Sequence, residues 1–212
     1  RRKKIMLCWH NLWCQKFFVA RDQIDTVKEV IPENKLFTKH WIHNLGFNIE
    51  NCYDPKKIKT SSVPLLVHAP SEPNIKGTKY VSIAIEKLQR RGIDFEYQEL
   101  KAVPNSEAQK IYSKADIIID QFLIGSIGTL AFEGMGYGKP VVAYIMQEVL
   151  DKYMPDCPVF NANIDNLADR LEELILNPDL RLQLGRRGIE FVKKHLDPIE
   201  INEAVIDLYR SL

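Results

Sequence analysis

Residues 113–142, SKADIIIDQFLIGSIGTLAFEGMGYGKPVV, contain a complete pattern of strand, turn, helix and strand. The apolar run Ile117–Ile119 predicts a buried strand, and the stretch from Gly125 to Gly128 predicts a tight turn. A helix is predicted from Thr129 to Tyr137, and a second apolar run begins at Val141. Two strands joined through a helix of this length indicate a right-handed crossover between parallel strands.

The same alternation of strands and helices extends to both sides of that stretch. The predicted strands cover residues 64–68, 95–100, 117–119, 141–144 and 159–160, and the predicted helices cover 78–91, 105–115, 129–137, 167–174, 180–191 and 198–208. Asn105 or Ser106 is expected to cap its helix, and Asp197 to cap the last one. Continuous apolar strands alternating with helices predict an α/β fold, a Rossmann-like parallel sheet with helices on both faces.

Composition limits the classes of function open to this chain. Its 212 residues carry a net charge of +1, which argues against a general nucleic-acid binder. No apolar run reaches the ~20 residues that a membrane span needs. Cys8, Cys14, Cys52 and Cys157 form no C-x-x-C pair, which predicts free thiols and a cytoplasmic location. Cys8, His10 and Cys14 match no standard zinc spacing, so no metal is predicted.

The N-terminal region differs from the rest of the chain. Residues 17–45 have a strand, helix, strand pattern, and residues 48–62 have the composition of a linker. The basic start Arg1–Lys4, followed by Trp9 and Trp13, has two interpretations. It is either an ordinary solvated start that leads into a strand, or a segment that associates weakly with a membrane surface.

The turn Gly125-Ser126-Ile127-Gly128-Thr129 leads from a strand end to a helix N-terminus. Glycines let a backbone approach a ligand closely, and the N–H groups of such a terminus favour an anion such as phosphate. Glu133 lies one helical turn after Thr129, where its carboxylate can accept hydrogen bonds from ribose hydroxyls. The spacing matches neither a Walker A loop nor the dinucleotide fingerprint. The alternative is that these glycines serve packing alone.

A second candidate segment follows the strand that ends at His68. Its lysine precedes a glycine and a helix start in the order Lys76-Gly77-Thr78, where the ammonium can reach a diphosphate. The alternative for Lys76 is a solvated loop lysine. His68 can contact a substrate or be a packed histidine, and the residues favour neither. Ser71 lies in the loop between His68 and Lys76.

The order of these motifs resembles a known family. Lys76-Gly77, Ala115-Asp116 and the run from Phe132 to Val142, FEGMGYGKPVV, are similar to the donor-binding domain of retaining glycosyltransferases of the B-type fold, the group that includes family 4. The resemblance covers about residues 60–212. It implies a Rossmann-like nucleotide-sugar domain at residues 59–196, a crossing C-terminal helix at 197–212, and the end of an acceptor domain with its linker at 1–58. Most of that N-terminal acceptor domain would be missing.

The resemblance also assigns roles to individual residues. Lys76 and Glu133 are the expected catalytic residues, with Lys76 on the donor diphosphate and Glu133 on the ribose. Gly128 and Thr129 match the position where backbone amides and a hydroxyl meet the phosphates. The full set expected to bind the donor is His68, Ser71, Lys76, Gly77, Asp120, Gln121, Gly125, Ser126, Gly128, Thr129 and Glu133.

Two departures from the family pattern concern the donor sugar and the phosphates. Gly125 stands where the family has the first glutamate of its Glu-x7-Glu motif, which engages the sugar. Contact with the sugar is therefore expected from Asp120, Gln121 or backbone amides. The loop before Lys76 also lacks the arginine that the family usually has there.

The predicted function is transfer of a sugar, with retention, from a UDP-, GDP- or ADP-sugar to a glycan, a lipid-linked or a small-molecule acceptor. Neither a metal nor another cofactor is expected, because the sequence has no D-x-D pair and such enzymes act by neutralising the leaving diphosphate. One alternative is a fragment or subunit that binds a nucleotide sugar without transferring it. Another is a sugar-nucleotide epimerase on the same fold, which would need further catalytic carboxylates.

Overall fold

A computed structural model describes residues 17–19, 24–37 and 61–211. The chain divides into two compact units, one formed by Arg1–Ile49 with Lys194–Leu212 and the other by Glu50–Lys193. The basic start, the Cys8 to Cys14 segment and most of the predicted linker lie outside the described residues.

The described part of the first unit contains a small parallel pair of strands and a C-terminal helix. Strand β1 (Phe17–Phe18) pairs in parallel with β2 (Leu36–Phe37), and helix α1 (Ile24–Val27) lies between them in sequence. The helix is shorter than the predicted one, because residues 28–30 form a turn. The predicted strand, helix, strand order is confirmed over these residues.

The second unit is built on a five-stranded parallel sheet in the order β4-β3-β5-β6-β7. Its strands are β3 (Leu65–His68), β4 (Glu96–Glu99), β5 (Ile117–Ile119), β6 (Val141–Ala143) and β7 (Phe160–Asn161). Strand β3 pairs with β4 on one side and with β5 on the other, so the strand order reverses between β3 and β5. Ligands of open α/β sheets bind at such a reversal, beyond the carboxyl ends of the strands.

The helices of the second unit connect these strands and cover both faces of the sheet. In chain order they are α2 (Pro73–Lys76), α3 (Thr78–Arg90), α4 (Asn105–Lys114), α5 (Thr129–Gly136), α6 (Gln147–Tyr153), α7 (Leu167–Leu176) and α8 (Pro178–His195). The C-terminal helix of the first unit is α9 (Pro198–Arg210). The apolar residues of α3 and α7 form one core with Leu66, Ile117 and Val142 of the sheet. Gly134 of α5 lies close to Ile118 and Val141, which neighbour Ile117 and Val142 along the strands. Neighbouring residues of a strand point to opposite faces, so α5 packs on the other face of the sheet. The prediction of helices on both faces is confirmed.

Three local features differ from the sequence-based expectation. Helix α2 occupies part of the predicted loop, because Pro73 is compatible with a first helical turn and Gly77, at a φ of 82°, ends it. Helix α4 is not capped by the side chain of Asn105 or Ser106, because Asn105 is already its first residue and Pro104 before it has no side-chain acceptor. Helix α6 has no predicted counterpart, since its seven residues fully bury only Val149. The predicted cap of α9 is confirmed, because the Asp197 carboxylate accepts a hydrogen bond from Ile199 N.

Candidate functional site

The candidate site lies in the second unit, at the carboxyl ends of β3 and β5. The loop after β3 leads through α2 to Lys76, and the loop after β5 begins at Asp120 and ends at Gly128, the residue before α5. The topology therefore places the two glycine-containing segments of the sequence at one edge of the sheet, where the strand order reverses.

The ammonium of Lys76 joins these two loops. Lys76 Nζ donates to Asp120 Oδ1 at 2.8 Å and to Gln121 Oε1 at 2.6 Å. Gln121 Nε2 in turn donates to the backbone oxygen of Ser126 at 2.6 Å. The backbone supports the same arrangement, because Phe122 N donates to Lys76 O at 3.1 Å. Four of the predicted site residues thus form one network, although 44 positions separate the lysine from Asp120.

Gly128 covers the Lys76–Asp120 pair from the side of helix α5. A Cβ atom at Gly128 would lie 2.4 Å from Asp120 Oδ2 and 2.9 Å from Lys76 Nζ. The φ of Gly128 is −100°, an ordinary value for any residue, so space and not backbone strain requires a glycine here. A side chain at this position would therefore meet the ion pair beneath it.

Gly125 requires a glycine for a different reason. Its φ is 75°, in the left-handed region, and a Cβ there would lie 2.8 Å from Met146 Cγ. Met146 N donates to Gly125 O at 2.9 Å, which holds the loop after β6 against this turn. The position where the family pattern has a glutamate therefore has neither the backbone conformation nor the space for a side chain.

A cleft of about 450 Å³ opens beside this network and holds two further predicted residues, Ser71 and Glu133. Ser71 comes from the loop after β3 and Glu133 from α5. The remaining lining comes from the ends of β3 and β4 and from α4: Ala69, Pro70, Leu100, Ala102, Val103, Asn105, Ala108 and Tyr112. Among the described residues, neither arginine nor lysine lines this cleft.

Burial and neighbouring carboxylates shape the acid–base properties of the cleft. Desolvation, with a smaller contribution from the charge of Asp120, raises the pKa of Glu133 above its usual value. Burial also raises the pKa of Tyr112 to about 12, and the carboxylates of Glu133 and Asp120 add to this effect. The Tyr112 hydroxyl therefore keeps its proton at neutral pH, and it can donate a hydrogen bond.

His68 lies behind the site and not at its surface. Its side chain is buried, Nδ1 lies 2.9 Å from Ile119 O, and Nε2 lies 3.0 Å from Thr78 Oγ1. A carbonyl oxygen only accepts, so Nδ1 carries the proton and Nε2 accepts the hydrogen bond from the threonine. Burial is the main cause that lowers the pKa of His68, which favours the neutral ring. The geometry thus gives His68 the task of joining β3, β5 and α3.

The remaining predicted residues are Gly77 and Thr129. Gly77 joins α2 to α3 in a left-handed conformation and packs against Phe122 and Leu123. Thr129 is exposed at the first position of α5. Sequence reasoning did not find Tyr112, whose helical spacing indicated only a packed face. Ala102 and Val103, in the loop after β4, also line the cleft.

Among the residues the structure describes, no three His, Cys, Asp or Glu side chains cluster as a metal site would require. In the same residues, no helix has the length and apolar character needed to cross a bilayer.

Comparison with known proteins identifies a family for this chain. Residues 70–205, more than half of the chain, match the glycosyl transferase-like family. No sequence among the curated proteins matches the chain.

Solved structures share the fold at low sequence identity. A mutant of S. aureus TarM in complex with fondaparinux, α-GlcNAc-glycerol and UDP aligns with a TM-score of 0.71 and 14% identity, over 99% of this chain and 46% of TarM. Anabaena HepE in complex with UDP aligns with a TM-score of 0.72 and 13% identity, over 99% of this chain and 67% of HepE. Sucrose-phosphate synthase from Thermosynechococcus elongatus aligns with a TM-score of 0.70 and 14% identity, over 98% of this chain and 61% of the synthase.

The chain spans less than half the length of TarM and about two thirds of HepE. Its five-stranded parallel sheet, covered by helices on both faces, agrees with the Rossmann-like fold of these B-type glycosyltransferases. The chain belongs to the glycosyl transferase-like family, as a domain of group 1 glycosyltransferases.

Proposed function

We propose that this chain is the donor-binding part of a glycosyltransferase that uses a nucleoside diphosphate sugar. The sugar is transferred with retention to a glycan, a lipid-linked or a small-molecule acceptor. UDP-, GDP- and ADP-sugars are the candidate donors, and UDP is the first ligand to test because the TarM and HepE structures contain it.

One observation carries this proposal: the half-buried Lys76 and the cleft lined by Glu133 both lie next to helix α5. Gly128 precedes α5, where an added Cβ would lie 2.9 Å from Lys76 Nζ, and Glu133 lies on α5 and lines the cleft. The first N–H groups of α5 have no acceptor within the helix and favour an anion. In this arrangement the diphosphate lies at Lys76 and the start of α5, and the ribose lies at Glu133.

The chemistry follows from charge. When the bond between the sugar and the diphosphate breaks, negative charge grows on the leaving phosphate oxygen. Lys76 and the N–H groups of the α5 terminus are pre-organised donors at that point, and such donors lower the barrier without moving during the reaction. The proposed reaction therefore needs neither a bound metal nor another cofactor.

The contact between Glu133 and the ribose tests the proposed site. Glu133→Gln removes the charge of the acceptor but keeps its shape, and should cost ~1.5–3 kcal/mol of nucleoside diphosphate binding. A 3′-deoxy nucleoside diphosphate should lose about as much in the wild type and far less in the variant, because both changes remove one contact. Calorimetry on the two proteins with the two ligands gives the four dissociation constants required.

Glu107→Gln is the matched control, since Glu107 lies in the first turn of α4 near the cleft but does not line it. This variant should leave all the affinities unchanged. If the effects of Glu133→Gln and of the 3′-deoxy ligand are additive, Glu133 does not bind the ribose and the proposed placement of the nucleotide is wrong.

One observation favours a second function, binding of the nucleotide sugar without transfer. The left-handed Gly125 and the nearby Met146 leave no room for the glutamate that the family pattern has at this position. One assay distinguishes transfer from binding alone. The chain is incubated with a radiolabelled nucleotide sugar that it binds, and the free sugar and the sugar attached to added acceptors are then measured. Retained, intact donor supports binding alone.

A further inference from the structure

The Lys76 ammonium is held by two consecutive residues of one loop. It has three N–H donors, and two of them point to Asp120 Oδ1 and Gln121 Oε1. Gln121 is itself oriented by its hydrogen bond to Ser126 O. Among the described residues, nothing else accepts a hydrogen bond from Lys76 Nζ, so the third donor remains for a ligand.

Asp120 lies beneath the lysine and does not reach the surface. Its side chain is 0% exposed, whereas that of Lys76 is 15% exposed. Gly128 covers Asp120 Oδ2, and this oxygen has no hydrogen-bond partner among the described residues. A ligand that approaches this edge of the sheet therefore meets the ammonium first, and the carboxylate can act on it only through the lysine.

The ion pair with Asp120 explains how the long, flexible side chain of Lys76 is kept in one position. A lysine has many rotamers, and a phosphate contact made by a mobile ammonium loses the freedom of those rotamers on binding. A buried ion pair is weak evidence for stability, but it does specify geometry. Here the geometry points one ammonium at the terminus of α5, with the α2 backbone fixed by Phe122 N.

We propose that Asp120, assisted by Gln121, is the positioning residue of the donor site: it holds Lys76 beside Gly128 so that the remaining N–H donor meets the diphosphate. This inference rests on the proposed function, and it gives Asp120 and Gln121 a different role from contact with the donor sugar.

The test is a double-mutant cycle between Asp120 and Lys76. The proteins are the wild-type chain, Asp120→Asn, Lys76→Met and the double variant, and the probes are UDP and uridine, or the corresponding GDP or ADP pair if that nucleotide binds better. Asp120→Asn should weaken the diphosphate about tenfold, in line with the cost of a misplaced binding group, and leave the nucleoside unchanged. In the Lys76→Met background, Asp120→Asn should cause no further loss.

A purely structural role for Asp120 predicts otherwise, since diphosphate and nucleoside would then lose affinity equally and in both backgrounds. Either that result, or tighter diphosphate binding by Asp120→Asn, overturns the proposal. Glu99→Gln is the matched control, because Glu99 ends the neighbouring strand and pairs with a different lysine, Lys101, at 3.2 Å. It should leave the ratio of the two affinities unchanged.

Thermal unfolding shows whether Asp120→Asn is folded. If it is not, Gln121→Met removes the second acceptor at similar volume, and its effect should also be confined to the diphosphate and vanish in the Lys76→Met background. An equal loss for both ligands, or no loss, overturns the proposal in that case. If the wild type binds none of the three nucleoside diphosphates, the proposed function fails and this inference with it. If it binds one but the cycle is additive, only the inference fails.

Discussion

Two cations in the second unit, one buried and one half-buried, are held by different kinds of acceptor. Arg181 of α8, 2% exposed, donates to the carbonyl oxygens of Leu174 and Ile175 at 2.6 Å and of Ser61 at 2.7 Å. Lys76 instead pairs with a carboxylate, and it lies at the edge of the sheet where the strand order reverses.

The difference separates a structural cation from a ligand-binding one. Three carbonyl groups accept hydrogen bonds from the Arg181 guanidinium, and two of them lie at the C-terminal end of α7. These bonds use three of its five N–H donors. The Lys76 ammonium uses two of its three N–H donors within the described residues, and its side chain is 15% exposed. One donor can therefore reach a ligand. Substitutions at the two positions should therefore change different measured quantities.

The largest expected effect is on stability, at Arg181. Arg181→Leu keeps much of the buried volume but leaves two buried carbonyl oxygens and the part-buried Ser61 O without their donor, which should cost roughly 3–5 kcal/mol of the free energy of unfolding. Urea denaturation measures this loss, and nucleotide affinity under folded conditions should stay the same.

Arg91→Leu provides the contrast for that measurement. Arg91 contacts two carboxylates, Asp169 and Glu172, but its side chain is 41% exposed. Such surface pairs contribute little, so the loss of stability should be much smaller than for Arg181→Leu. Equal losses would mean that burial does not distinguish the two arginines.

An intermediate effect is expected at Gly128, which covers the Lys76–Asp120 pair. Gly128→Ala places a methyl group against both charged groups, and overpacking of this kind should cost ~1–3 kcal/mol of stability. Because the pair must move, affinity for the nucleoside diphosphate should fall as well, as measured by calorimetry.

Gly92→Ala is the control for Gly128→Ala, because Gly92 has open space around it but a φ of 72°. Backbone strain alone should cost about 1–2 kcal/mol there. Its affinity for nucleotide should not change. Unaltered affinity in Gly128→Ala as well would contradict the role assigned to the pair.

The smallest effect concerns His68, a buried side chain that the fold keeps uncharged. Burial lowers its pKa below the usual 6.5, so the unfolded chain takes up this proton first as pH falls. Its contribution to stability is complete above pH 6.5 and is lost as the pH decreases toward the folded pKa, by no more than about 1.4 kcal/mol per pH unit. His68→Asn should remove this part of the pH dependence, as measured by urea unfolding between pH 5 and 7.5 on both proteins.

Much of the fold follows from local patterns in the sequence. The strands around Ile117–Ile119 and Val141–Ala143 are continuous apolar runs, and helices such as α3 and α7 carry periodic apolar faces. Helix α6 was not predictable in this way, because one buried residue in seven produces no periodicity. The predicted cap of α4 was wrong because the helix begins at Asn105 itself, and Pro104 before it has no polar side chain.

The sequence singled out Lys76, Asp120, Gln121 and Ser126 as candidate site residues, but it did not show that they are hydrogen-bonded to one another. The position of Lys76 before a glycine and of Glu133 one turn into a helix indicated ligand contacts from the sequence alone. The pairing of Lys76 with Asp120 was not visible, because it joins two loops 44 residues apart. The sequence also left His68 undecided, since only the tertiary structure supplies the carbonyl of Ile119 and the hydroxyl of Thr78 as partners.

The conformation of Gly125 limits how a carboxylate can be introduced at this position. A single substitution to glutamate would have to form in a left-handed backbone and against Met146, so neither removal of Met146 nor the substitution by itself produces an unstrained side chain. A side chain at this position therefore requires a change in the path of the turn, which also alters the hydrogen bond that Met146 N makes to Gly125 O. A carboxylate for the donor sugar is more simply introduced at another residue of this sheet edge than at Gly125 itself.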